Sequence, residues 1–199
     1  MKDHIGAYLQ RYAEPDSTAA GLPSDHHDHV LVVPAFDEDE DFVHHMLPAD
    51  GANAVVLVVA NVPDHLSDDD PRRLRSQRLA AAYPPGTYVR GAEIVVIDRT
   101  RGPGLPRRQG VGLARKLGAD TALRWIRAGA VSKPIIYSSD ADALLPSDYF
   151  QAIAQAEAEA GIDTESPAQP GTWLFPYRHH AGADDSRVAT YELHLRHYV

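Results

Sequence analysis

Three runs rich in Val and Ile, Val30–Val33, Asn53–Ala60 and Glu93–Asp98, constrain the fold of this chain more than any other feature. Their middles lack the polar–apolar alternation of a strand with one wet face, so each reads as a strand covered on both sides. Each leads through a turn-forming stretch into a segment with helical periodicity. Shorter runs at Ile135–Tyr137 and Thr172–Tyr177 add two more strands. Strands alternating with helices in this order imply an α/β protein, a mainly parallel sheet with helices on both faces. Ligands of such sheets bind at the carboxyl ends of the strands, so the residues just past each run are where chemistry is expected.

The helices can be placed by their punctuation and period. Asp70-Pro71 opens a helix over Arg72 to Ala82, in which Leu74, Leu79 and Ala82 face the sheet and Arg72, Arg73, Arg75 and Arg78 form a solvated face. From Gln109 onward Val111, Ala114, Leu117, Thr121, Ala122, Trp125 and Ile126 recur at helical spacing, the pattern of an amphipathic helix on a sheet. Pro146-Ser147 starts another, with Tyr149, Phe150 and Ile153 on its apolar side, and a last helix begins near Asp184. Residues 1–29 hold little beyond a short helix over Ile5–Tyr12 and read as an arm or cap on a domain spanning 30–199. His26, His27 and His29 read as a solvated polar loop, because adjacent histidines seldom converge on one ion without further ligands.

Charge and composition narrow the function classes. Acids outnumber Lys and Arg by 28 to 19, a net charge of −9, which argues against nucleic acid as the main partner. With no Cys, disulfides, thiolate zinc sites and a Cys nucleophile are excluded. No apolar run reaches the length of a membrane span and the first residues carry no secretory segment, so a cytoplasmic protein is expected, with a homo-oligomer left open. One basic island breaks the acidic average: Arg99, Arg101, Arg107, Arg108, Arg115 and Lys116 follow one another with no acid among them. It runs through a glycine-bearing loop into the helix at Gly110. Free backbone N–H groups there, with Gly112 allowing close approach and Arg107, Arg108 and Arg115 nearby, make an anion site.

Two carboxylates stand at the end of the Ile135–Tyr137 run, in Ser138-Ser139-Asp140-Ala141-Asp142. A chain that stays extended through Asp142 turns residues two apart to the same side, so Asp140 and Asp142 would face one point. Two hard oxygen ligands suit a divalent cation, Mn2+ or Mg2+, able to carry a phosphate-bearing substrate.

Three stretches in this order resemble family 2 glycosyltransferases. The Asp-Ala-Asp of Asp140–Asp142 is similar to the Asp-X-Asp signature that holds a metal and the diphosphate of a nucleotide-sugar donor. LVVPAFDEDE, with Pro34, Ala35, Asp37 and Glu38, resembles the family's opening strand and acidic turn, although Asp37 stands where Asn is usual. Those acids either contact base or ribose or merely cap a helix. GVGLARKLG, with Gly110, Ala114, Arg115 and Gly118, resembles the helix upstream of the Asp-X-Asp strand, with Lys116 in place of Asn.

The resemblance implies a GT-A fold and a metal-dependent, inverting transfer of a sugar from a nucleotide-diphosphate donor, UDP- or GDP-linked, to an unidentified acceptor. Asp64, with Asn61 at the second strand's exit, stands in for the family's Asp-Asp-Gly-Ser, which is missing. Asp142 would hold the metal, with Asp140 orienting ribose or a metal-bound water. Glu192 is the nearest match to the family's general base, against its reading as an ordinary helix-surface residue. The chain ends before the acceptor side of such a domain is complete, so a C-terminally shortened enzyme is expected. Two alternatives remain: a nucleotidyltransferase, although Pro34-Ala35-Phe36-Asp37 lacks the glycine-rich loop it needs, and a non-catalytic nucleotide-binding domain.

Overall fold

The computed structural model describes residues 3–106 and 109–159, Glu157 by its backbone only. The strand expected at Thr172–Tyr177 and the last helix, with Glu192, lie outside the described residues. In chain order the elements are α1 (His4–Arg11), β1 (His29–Ala35), α2 (Phe42–Met46), β2 (Ala54–Asn61), α3 (Pro71–Ala82), β3 (Thr87–Val89), β4 (Ala92–Arg99), α4 (Gly110–Arg127), β5 (Ile136–Ser138) and α5 (Tyr149–Glu159). The strands form one five-stranded sheet in the order β3-β4-β2-β1-β5, all parallel except β3. Among the described residues no helix is long and apolar enough to cross a membrane.

The apolar runs are buried on both sides, as their lack of alternation requires. Leu31, Val33, Val56 and Val58 point to one face and pack with Phe42, Leu79, Phe150 and Ile153, from α2, α3 and α5. Val30, Val32, Val55 and Leu57 point to the other and pack with Ala114, Leu117 and Trp125 of α4. The chain steps from β1 to β2 to β4 with its helices on one face, then returns past β2 and β1 to β5 with α4 on the opposite face. A reversal of direction demands that change of face when crossovers are right-handed.

Contact between α4 and the sheet depends on Gly118. A Cβ there would lie 2.3 Å from Val32 Cγ1 and 3.2 Å from Val59 Cγ2, so only glycine lets the helix approach this closely. The arm lies across the outer side of the same helix. Buried Asp120 accepts from Tyr8 Oη at 2.9 Å, from the Glu14 N–H at 2.8 Å and from Lys116 Nζ at 2.7 Å, and Trp125 Nε1 donates to Gly21 O at 2.6 Å.

Several expectations are corrected. The acids Asp37–Asp41 form a loop ahead of a helix of only Phe42–Met46, and Asp41, at its N-cap position, makes no side-chain cap hydrogen bond. In α3 the arginine face is not uniformly solvated: Arg73 is 2% exposed while Leu74 is 40% exposed and Ala82 faces water. Strand β3 was not foreseen. It is one arm of a hairpin whose two turn residues, Arg90 at φ 49° and Gly91 at φ 87°, supply the left-handed pair that such a turn needs. Of the three histidines only His26 is exposed as expected. His27 is buried against Glu93 at 2.8 Å, and His29 stacks on Phe150 with ring centroids 4.4 Å apart.

Buried Glu93 also accepts from the backbone N–H groups of Ser24 and Asp25, closing the arm onto β4. Burial, the largest influence, works to raise its pKa, but the Ser24 amide, His27 and the Asp25 amide outweigh it and hold the carboxyl below its ordinary value of 4.5. A depressed folded pKa contributes stability above the unfolded value, and that contribution is lost as pH falls through the folded one. Glu93→Gln is therefore expected to lose about 1–3 kcal/mol at neutral pH in urea denaturation, with the gap from wild type closing below about pH 4. An equal gap at both pH values would contradict this role.

Candidate active site

Between β1 and β5 the direction of winding reverses, and an open sheet leaves a crevice at the carboxyl ends of two such strands. Here the crevice has a local cause. Pairing between β1 and β5 runs only from Val30–Ile136 to Val32–Ser138, with the Ser139 N–H reaching Val32 O at 3.1 Å. Pro34, two residues on, faces that same side and has no N–H to continue the ladder. β1 therefore proceeds alone through Pro34 and Ala35, and the chain after Ser138 is free to turn away. On the other side Asn61 holds the strand ends together, its Nδ2 donating to Ala35 O at 3.1 Å.

Two loops border the opening: residues 36–41 after β1 and 139–145 after β5. Between them lies a cleft of about 330 Å3, with Glu38, Asp39 and Asp142 against Phe42, Met46 and Leu144. Glu38, Asp39 and Asp142 form no side-chain hydrogen bond or ion pair with any described residue. Burial, and then the charges of Asp142, Asp37 and Asp39, push the Glu38 carboxyl above its ordinary range, with Arg75 opposing. This wall stores like charge.

The other acids of the first loop are committed elsewhere. Asp37 adopts a left-handed conformation at φ 63°, uncommon for a residue with a side chain. Its N–H donates to Ser76 Oγ at 3.0 Å and its carboxylate pairs with Arg75 at 3.3 Å. Glu40 pairs with Arg78 at 3.1 Å, and Tyr83 Oη donates to Glu40 O. α3 thereby pins the loop, leaving Glu38 and Asp39 for the cleft. Within one acidic run, then, Asp37 and Glu40 secure the loop, while Glu38 lines the opening.

Asp140 and Asp142 do not share a direction. The strand stops at Ser138, and the Ala143 N–H bonds to Asp140 O at 3.2 Å, so the chain turns between the two carboxylates. Asp142 lines the cleft. Asp140 is ion-paired with Arg115 on α4, and both are part-exposed. Extension through Asp142 was the premise for a common point, and this turn removes it. Among the described residues no group of three or more His, Asp or Glu converges as a metal site. The donor set still fits a divalent cation of the Mg2+ type, which takes one or two carboxylates and fills its remaining positions with water and substrate phosphate oxygens.

The basic island is largely neutralised in three dimensions. Arg99 pairs with Asp16, Arg101 with Asp98 at 3.2 Å, and Lys116 with Glu14 at 3.1 Å and Asp120 at 2.7 Å. Lys116 thus serves the arm. Arg107 and Arg108 lie outside the described residues. The first turn of α4 has no side-chain cap, and a Cβ at Gly110 or Gly112 would meet no described residue within 4 Å, so packing among the described residues does not explain these two glycines. Asp64 sits exposed beyond β2, 3.9 Å from His65, with its N–H donating to Leu105 O at 2.9 Å.

Sequence reasoning missed the cleft role of Asp39 and the apolar wall of Phe42 and Met46. Neither shows in the sequence, because both depend on where the loop folds back. Comparison with protein-family models, with curated proteins and with solved structures gave no match.

Two tests follow from this geometry. Carboxyl 13C titration should show the Glu38 pKa falling in Asp142→Asn, and falling in wild type when Mg2+ is added; unchanged titration in the variant would place Asp142 too far away to matter. Gly118→Ala should cost about 1–3 kcal/mol through overpacking, whereas Gly112→Ala should be neutral or stabilising by up to about 1 kcal/mol in the same denaturation experiment.

Proposed function

We propose that the protein binds a nucleotide-sugar at the crevice between β1 and β5 and transfers the sugar to an acceptor, as a metal-dependent glycosyltransferase of the family 2 type with a GT-A fold. One observation carries this reading. The switch point of the sheet falls between Pro34–Asp37 and Ser139–Asp142, two of the stretches whose sequence resembles that family. Sequence likeness and topology independently select the same edge.

Electrostatics then sets the conditions of binding. A diphosphate brought to a cleft lined by Glu38, Asp39 and Asp142 meets like charge, so a cation has to accompany it. Mn2+ or Mg2+, when bound, supplies the charge neutralisation that a departing nucleoside diphosphate needs. Asp142 offers the oxygen ligand facing the cleft, with Glu38 as the second donor. Arg115 orients Asp140 and has guanidinium donors beyond that contact, available to a phosphate oxygen. Gly110 and Gly112 leave their backbone N–H groups open to close approach. Asp37 acts through the loop that presents Glu38, and Asp64 is the polar group offered at the β2 exit for ribose or base. Glu192 is the proposed general base, taking the acceptor hydroxyl proton in an inverting step.

A thermal-shift panel of UDP, GDP and CDP, each with and without Mn2+, tests the binding step. A ligand at a hundredfold excess over its Kd should add about 2.7 kcal/mol of stability. Asp142→Ala should remove the Mn2+-dependent part of that shift with the fold intact. No shift with any nucleoside diphosphate and metal would sink the donor-site reading. Metal-dependent binding with neither hydrolysis nor transfer of a nucleotide-sugar would instead favour a non-catalytic nucleotide-binding domain.

A further inference from the structure

Arg73 is the buried charge that neither the core nor the proposed donor contacts account for. It lies on α3, 2% exposed, with no buried carboxylate beside it among the described residues; Asp68, 3.9 Å away, is fully in water. Its Nη1 donates to Thr100 O at 2.9 Å and Gly102 O at 3.1 Å, and its Nη2 to Leu66 O at 2.9 Å. Burying a guanidinium against neutral carbonyls is costly unless the geometry is well satisfied, and its Nε has no hydrogen-bond partner among the described residues. A side chain kept under those terms, where a solvated Arg or a buried Leu would serve the core better, has work to do on the backbone it holds.

That backbone belongs to two loops at the carboxyl edge of the sheet. Leu66 lies in the loop after β2, and Thr100 and Gly102 in the loop after β4 that leads to α4. The same loops are joined by the Leu105 N–H to Val62 O at 2.7 Å and the Asp64 N–H to Leu105 O at 2.9 Å. Gly104, at φ 71°, makes the approach possible, since a Cβ there would lie 2.6 Å from Val62 O. The fork of Arg73 closes this seam from below. Lysine cannot reproduce it, because one ammonium cannot span carbonyls from two loops in a planar fork.

We infer that Arg73 is a positioning residue for the proposed donor site: by tying the loops after β2 and β4 together it sets where Asp64 and the start of α4, with Gly110, Gly112 and Arg115, stand at the sheet edge. The inference rests on the nucleotide-sugar reading for its functional half. Its structural half stands alone and is read without ligand.

The test uses the full chain, wild type and Arg73→Lys, with Arg73→Gln measured in parallel in case the lysine variant does not fold. Hydrogen exchange of the free proteins should show the Asp64 and Leu105 amides exchanging at least about tenfold faster in the variants, with β1 and β2 amides unchanged relative to one another. Titration with UDP and GDP in Mn2+ should show Kd rising about tenfold or more, since a small misplacement of binding groups weakens contacts steeply. Unchanged exchange at Asp64 and Leu105 would overturn the positioning role. Faster exchange with unaltered nucleotide affinity would overturn its link to the site. If wild type itself binds neither nucleotide, the donor-site reading fails and takes that link with it, while the exchange result still decides what Arg73 holds.

Discussion

The handedness of β-α-β connections decides how the two faces of this sheet are covered. β1, β2 and β4 are laid down in one direction with α2 and α3 on one face; to place β5 on the far side of β1 the chain must turn back, and α4 must then cross the other face. The loops leaving β1 and β5 both run to the first face, into α2 and α5, and the cleft lies between them. Pro34 reinforces this by ending the ladder just where the loops part. The acidic loop, the cleft and the turn at Asp140 are all arranged around these two strand ends.

α4 connects this opening to the rest of the molecule. Its close seat on Val32 and Val59 is set by Gly118, its outer face is clasped by the arm through Asp120 and Trp125, and its first turns carry Arg115 to Asp140. Three faces of one helix thus serve core, arm and site. Since the packed core resists small displacements, a change at Gly118 would be felt at Arg115 as well as in stability. Lys116 and Arg115, adjacent in sequence, have opposite duties because a helix turns neighbouring side chains away from each other.

Charge follows the same division. Most described arginines near the carboxyl edge are paired with acids from the arm, from the loops after β1 and β5 or from their own neighbourhood, while Glu38, Asp39 and Asp142 are left facing the cleft. The net effect is an acidic opening in an acidic protein, framed by neutralised pairs. Such a site discriminates by charge: it favours cations, or anions that bring a cation with them, and the Glu38 carboxyl is pushed up by its burial first and by the neighbouring carboxylates second.

Much of this was legible in the residues alone. Unbroken Val and Ile runs determined a doubly covered parallel sheet, because burial on both sides removes alternation whatever the neighbours are. Asp70-Pro71 and Gly110 marked helix starts by local backbone chemistry, and the order of the motifs pointed to the carboxyl edge. Other features were decided only in three dimensions. Arg73 looks like its neighbours Arg72 and Arg75 in sequence, yet it is buried, since helical phase against a twisted sheet and the carbonyls of distant loops select it. His27 looks like a loop histidine until Glu93 arrives from β4. Asp140 and Asp142 look like one pair until the turn at Ala143 and the guanidinium of Arg115 separate them. Local propensity and burial are written residue by residue, whereas the partner of a charge depends on which strand ends the topology brings together.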